Sequence, residues 1–261
     1  MYYSDQTGHA IYLAEPPRRI VSLVPSQSEY LWYLGLQDEI VGITKFCIHP
    51  AEMFQSVERV GGTKQLDMNK IKSLKPDLII GNKEENVKEQ IEALRREFNV
   101  WMSDVNTFDE AFAMMLALGE MCGRDEEAKR VVGCLREQLP RSKNILPAYT
   151  VAYFIWNKPW MLAAGNTFIH HVLEYSGLRV IPAHAQRYPE LSEEALRTLD
   201  PQLCFLSSEP FPFAQKHAEE LNGILPRTKI IFTDGEMLSW YGSRLLHLPA
   251  YLNNLKKQIE E

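Results

Sequence analysis

The chain has 261 residues, of which 45% are hydrophobic and 24% charged, and its formal net charge is −6. No apolar run approaches the roughly 18 residues of a membrane-spanning helix. No block of like charge offers a basic face that could track a phosphate backbone, so a membrane-spanning protein and a nucleic-acid binder are both set aside. This length suits one or two domains with a substantial buried core.

Residues 19–24 (RIVSLV) read as a first buried strand, ended by Pro25 before a helix that carries Leu31, Leu34 and Leu36 and closes at Gly35. A second strand at 40–44 runs into the loop Lys45-Phe46-Cys47-Ile48-His49-Pro50. After a turn at Gly61-Gly62-Thr63-Lys64, a short helix at 66–74 feeds a strand at 77–80. Val87, Ile91, Leu94 and Phe98 then step by four, three and four, which is one face of a helix turned to a sheet. A strand at 100–104 and a helical stripe from Phe108 to Cys122 follow. Gly123 breaks that stripe. A second helix runs from Asp125 to the Pro140 that stops it, and a connector of about 15 residues spans roughly 22 Å. The second half repeats the plan: strand 150–155, loop to Gly165, helix 168–177, strand 179–181, loop 182–189, helix 192–199 and strand 203–206. A helix around 216–221, a strand at 229–233 and a final helix at 245–259 complete it.

The two halves echo each other in sequence. IKSLKPDLIIGNKEE begins at Ile71 and LRTLDPQLCFLSSEP at Leu196, 125 positions later. Further echoes at other offsets, such as EYLWYLGL with HVLEYSGL, indicate two similar α/β lobes rather than a short-period array. Open α/β sheets bind ligands outside the carboxyl ends of their strands, so the expected site is a cleft between the lobes, lined by the loops that follow the strands.

Several side chains in those loops carry chemistry. Trp156, Trp160, Trp240 and Tyr241 follow strands of the second half, where they form either a stacking floor or packing between lobes. Residues 234–251 gather Asp234, Glu236, Ser243 and Arg244 around the last two of these aromatics. Glu84 and Glu209 hold equivalent places in the two halves, suited to acid–base work, to cation binding or to capping a helix N-terminus. Cys47 and His49 are weak candidate metal ligands, because two groups fall short of a four-ligand zinc set. His170 and His171 are neighbours on a helix and point about 100° apart, which disfavours a shared metal. The four cysteines lack C-x-x-C spacing and read as buried free thiols. There is no G-x-G-x-x-G after the first strand, no Walker A loop, no H-E-x-x-H and no G-x-S-x-G, so no catalytic residue is assigned.

The segments RIVSLVPSQSEYLWYLGL, VGIT and GGTKQLDMNKIKSLKPDLII, followed by the connecting helix, resemble the cobalamin and ferric-siderophore substrate-binding proteins of ABC importers. The resemblance runs from about Arg18 to the C-terminus. It implies the helical-backbone metal-receptor fold: two Rossmann-like α/β lobes with parallel sheets, at 1–122 and 148–261, joined by a single backbone helix within 123–147. It implies a non-enzymatic binder, without intrinsic cofactor, for cobalamin, another corrinoid or a ferric siderophore. A permease partner follows from the same resemblance, and a monomer is expected. The implied ligand loops carry Lys64, then Asn82, Lys83 and Glu84, then Arg187 and Tyr188. Corrinoid-binding members have aromatics at two positions where this chain has Lys64 and Lys83, and these cations suit an anionic ferric chelate or a carboxylate-bearing ligand. Permease docking in that family uses one glutamate per lobe; here the positions hold Asn69 and Glu194.

A rival expectation is a cytoplasmic enzyme or cofactor-handling protein on the same scaffold, with Cys47, His49, Glu84, Glu209 and Arg244 as its polar centre. No charged-then-apolar leader opens the sequence. The expected location is therefore periplasmic or cell-surface if an export signal has been removed, and cytoplasmic if Met1 is the native start.

Overall fold

A computed structural model describes residues 1–261. The chain forms two compact units: Met1–Val105 with Asp109–Cys134 and Tyr241–Arg244, and Asn106–Phe108 with Leu135–Trp240 and Leu245–Glu261.

The first unit opens with a hairpin of β1 (Tyr2–Ser4) and β2 (Ala10–Tyr12), to which the sequence pattern assigns no element. Asp5 closes its turn. One carboxylate oxygen accepts from the Thr7 and His9 amides at 2.8 Å, and the other pairs with Arg95 at 2.7 Å. The strands that follow are β3 (Ile20–Ser22), β4 (Ile40–Ile43), β5 (Glu58–Arg59), a small hairpin of β6 (Gly61–Gly62) with β7 (Gln65–Leu66), β8 (Leu78–Asn82) and β9 (Val100–Ser103). The main sheet has the order β5-β4-β3-β8-β9 and every neighbour in it is parallel. Helices α1 (Pro25–Tyr33), α2 (Ala51–Ser56), α3 (Met68–Leu74) and α4 (Lys88–Arg95) make the connections. Every residue of β3, β8 and β9 is buried, which is why these strands read as unbroken apolar runs instead of alternating ones.

α5 (Phe108–Met121) and α6 (Asp125–Gln138) come next, and a 3₁₀ turn at Leu139–Ser142 ends the connector. Gly119 of α5 lies against α6, since a Cβ there would stand 2.3 Å from that of Ala128.

In the second unit β10 (Thr150–Trp156) lies beside β14 (Leu203–Ser207), and β15 (Lys229–Thr233) adds the edge, all parallel. On its other side β10 pairs first with β12 (Arg179–Val180), in parallel, and then with β11 (Trp160–Ala163), antiparallel; β13 (Glu190–Leu191) pairs antiparallel with β11. The sheet is thus mixed, and the expected loop before Gly165 contains a strand. Lys158, at φ 62°, turns the chain back, and Trp160 and Leu162 join Phe154 in the core. Four residues after a turn carry too short a pattern to read as a strand until a partner is known. Helices α7 (Phe168–Tyr175), α8 (Glu193–Leu199), α9 (Gln215–Ile224), α10 (Gly235–Ser239) and α11 (Leu248–Glu260) complete the unit. The expected final helix at 245–259 is a 3₁₀ turn, Ser243–His247, followed by α11, because Pro249 favours a first helical turn.

The sequence echo is an echo of local structure. Asp67 caps α3 by accepting from the Lys70 amide, and Ser192 caps α8 by accepting from the Ala195 amide. Each helix buries one residue, Ile71 or Leu196, and stops at a left-handed residue, Lys75 (φ 46°) or Asp200 (φ 41°). A proline follows each, and each leads into a fully buried five-residue strand, β8 or β14.

Gly119→Ala forces α5 and α6 apart and is expected to cost about 1–3 kcal/mol in urea denaturation. Gly133→Ala, on α6 with open space around it, is expected to stabilise by about 0.5–1 kcal/mol in the same assay.

Candidate functional site

In the first unit the chain leaves β3 toward β4 on one side, while β8 lies on the other. The loops at their carboxyl ends therefore diverge, as they do where open α/β sheets take ligands. Asn82, the last residue of β8, is buried there. Its Oδ1 accepts from the Glu84 and Glu85 amides at 2.8 and 3.0 Å, and its own amide N–H donates to Asn86 Oδ1 at 2.9 Å. Its Nδ2 donates to Ser103 Oγ at 2.9 Å and to the Tyr241 hydroxyl at 2.8 Å, while Gln27 Nε2 also donates to Ser103 Oγ. The loop at 82–86 is thereby fixed from beneath.

Lys64 is exposed and its Nζ donates to the Glu84 carbonyl at 2.5 Å. Lys83 is also exposed but pairs with Asp104 at 2.5 Å. Arg244 is held by both oxygens of Glu29, at 2.7 and 3.0 Å, so its guanidinium is already engaged. Sequence reasoning missed Phe46 and Ile48. They are 50% and 46% exposed in the loop after β4, and the Lys45 ammonium stands 5.1 Å from the Phe46 ring centre. The alternation Phe46, Cys47, Ile48 carried that signal: two apolar side chains point out while the thiol points in.

That inward turn corrects the weak metal expectation at Cys47 and His49. Cys47 is fully buried, with Sγ 3.2 Å from both Ser28 Oγ and Thr44 Oγ1, and burial pushes its thiol up from the usual range. His49 is half-buried, and nowhere do three His, Cys, Asp or Glu side chains gather as a metal site.

In the second unit only Trp156 of the four expected stacking aromatics is exposed, at 41%. Phe211 meets it at 5.4 Å between ring centres and in turn touches Phe213 and His217. Trp160 packs edge-on against Phe154 in the core. Trp240 is buried and donates from Nε1 to Glu209 Oε1 at 2.8 Å, and the Ser239 hydroxyl donates to the same oxygen at 3.0 Å. Tyr241, grouped with the first unit, is buried too. Arg187 adopts φ 62° and donates to the Asn166 carbonyl at 3.0 Å and to Asn106 Oδ1 at 3.3 Å, with half-buried Tyr188 beside it. His171 packs on the Phe108 ring at 4.8 Å. Glu194 and Asn69 are both exposed, each the second residue of its capped helix.

Two duplicated α/β units that carry cations and exposed aromatics at their strand ends are the arrangement of a ligand-binding protein. The sequence model of the periplasmic binding protein family matches residues 20–224, and the chain belongs to that family. It is 25% identical over 209 residues to an uncharacterized ABC transporter substrate-binding lipoprotein of Bacillus subtilis, a match covering 76% of this chain and 66% of that protein. It is 26% identical over 197 residues to a vitamin B12-binding protein of Vibrio cholerae, covering 74% of this chain and 71% of the relative. The chain thus spans about two thirds of the length of these relatives. In fold it is similar to a periplasmic heme-binding protein of Pseudomonas aeruginosa, with a TM-score of 0.76 at 24% identity over 92% of each chain.

Burial also raises the thiols of Cys204 and Cys122, the latter to about 12. A thiol held above its ordinary pKa is protonated and unreactive at neutral pH. Native protein treated with a disulfide reagent at pH 8 is expected to yield at most one fast-reacting thiol, half-buried Cys134, against four after denaturation.

Proposed function

We propose that this chain is the substrate-binding component of an ABC importer and that its substrate is a metal chelate carrying anionic groups. The observation that carries the ligand class is the company of cations and exposed apolar rings in the strand-end loops. Lys45 and Lys64 accompany Phe46 in the first unit, and in the second Arg187 stands in the loop after β12 while Trp156 ends β10. Rings offer a flat chelate a stacking surface, and ammonium or guanidinium groups answer carboxylate or catecholate oxygens. Family membership supports the binding role. The vitamin B12-binding relative and the heme-binding fold neighbour make cobalamin, heme and ferric siderophores the classes to compare.

On this reading the lobes are 1–122 and 148–261, with 123–147 as the connector, and ligand contacts come from strand-end loops in both. Lys64, Lys83, Glu84, Trp156, Arg187 and Tyr188 remain ligand residues, and Phe46 joins them. The protein works outside the cytoplasmic membrane as a monomer, as the lipoprotein relative suggests for location, and hands its cargo to a permease that meets α8 at Glu194 and α3 at Asn69.

Titration with hemin, cyanocobalamin and a ferric tris-catecholate, read by absorbance and by thermal shift, tests the reading. At least one is expected to bind and raise the melting temperature. Lys64→Ala is expected to weaken that complex about tenfold, the loss of one hydrogen bond to a charged group. Absence of binding by all three overturns the ligand class.

A further inference from the structure

Tyr241–Arg244 belongs to the first unit, although Trp240 before it and Leu245 after it belong to the second. Contacts with β8 and α1 hold this segment. The Tyr241 hydroxyl accepts from Asn82 Nδ2 at 2.8 Å. Gly242, at φ 103°, approaches α1 so closely that a Cβ would come within 3.0 Å of Tyr30 Cβ. Arg244 grips Glu29 of α1 through two hydrogen bonds. The segment therefore occupies the place where the loops after β3 and β8 diverge.

We propose that Tyr241 is a positioning residue for the ligand loop at 83–85, acting through the Asn82 amide rather than by touching the ligand. The proposal rests on the reading of that loop as part of the binding site. The Asn82 amide has two ends with separate tasks. Its oxygen receives the Glu84 and Glu85 backbone N–H groups, and its nitrogen has two N–H groups, directed at Ser103 and at Tyr241. Because the amide is planar, fixing its nitrogen fixes its oxygen. The Tyr241 hydroxyl thereby sets the backbone that carries Lys83 and that presents the Glu84 carbonyl to Lys64.

Removing the hydroxyl leaves that buried N–H only the longer contact to the Ser103 carbonyl, at 3.3 Å, which favours reorientation of the amide and release of the turn. The ring itself is only 6% exposed and offers a ligand little face. Burial above all, with the charge of Glu85 second, keeps the hydroxyl pKa raised and the group neutral, so its partnership with Asn82 is constant across ordinary pH. The second unit shows a parallel arrangement: Trp240, one residue earlier, donates to Glu209, which stands 125 positions after Glu84.

Amide exchange measured by NMR on the ligand-free protein tests the proposal. Tyr241→Phe keeps the ring, and is expected to speed exchange at Glu84 and Glu85 about fivefold while Ile79 and Ile80 of β8 stay unchanged. Ser243→Ala, in the same segment but with a hydroxyl that makes no hydrogen bond, is expected to leave Glu84 and Glu85 as in the parent. Unchanged exchange at Glu84 and Glu85 in Tyr241→Phe overturns the assignment, and so does equal acceleration at Ile79 and Ile80, which would make the hydroxyl a general stabiliser. Where hemin or cyanocobalamin binds the parent, Tyr241→Phe weakens that complex about fivefold; unaltered affinity also overturns the proposal. Since the exchange measurement needs no ligand, failure of every chelate to bind refutes the functional reading and leaves this test intact.

Discussion

The end of a strand buried on both faces lies away from water, so its polar groups must find their partners inside the protein. That constraint shapes β8 and the loop after it. Asn82 is 3% exposed and satisfies two loop amides with one oxygen, while its own amide N–H goes to Asn86 and its side-chain nitrogen to Ser103 and Tyr241. A polar residue at the end of an apolar run is therefore a structural keystone before it is a ligand contact. β14 meets the same demand differently: Ser207 is buried, accepts from the Tyr153 hydroxyl at 3.0 Å and donates to the Glu209 carbonyl at 2.5 Å.

The duplication explains why two unlike chemistries stand on like frames. Capped helix, left-handed stop, proline and buried strand recur because together they deliver a strand to the middle of a sheet. Nothing in that frame dictates the residues beyond the strand. The first loop carries Lys83, Glu84 and Glu85, and the second carries Glu209 and Phe211. The scaffold is conserved between halves of one chain while the site is free to diverge, which is how one fold serves many ligands.

The cations of these loops are not equally engaged. Arg244 is committed to Glu29 and Lys83 to Asp104, whereas Lys64 donates to the Glu84 carbonyl and its charge acts on the Glu85 carboxylate. Lys45 lies over Phe46, a placement that combines cation and ring in one surface element.

Much of the fold was legible in the primary sequence. Buried parallel strands appear as apolar runs, helix ends as Gly123 and Pro140, and the repeat as a shared offset of 125 residues, because these are local consequences of backbone geometry and burial. The hairpin at Tyr2–Ser4 and Ala10–Tyr12 and the strand Trp160–Ala163 were not legible, since a three- or four-residue strand exists only through its partner. The site divides in the same way. That the candidate residues would stand at or after strand ends followed from the order of elements: Lys64 and Arg187 lie in loops, and Trp156 ends β10. Which aromatics face solvent was settled only by packing: Trp156 does, while Trp160, Trp240 and Tyr241 are buried, and Phe46, unremarked in sequence, is half exposed. Sequence fixes what each side chain can do, but whether its partner is water or protein depends on residues far away in the chain, as Asn82 and Tyr241 show at a separation of 159.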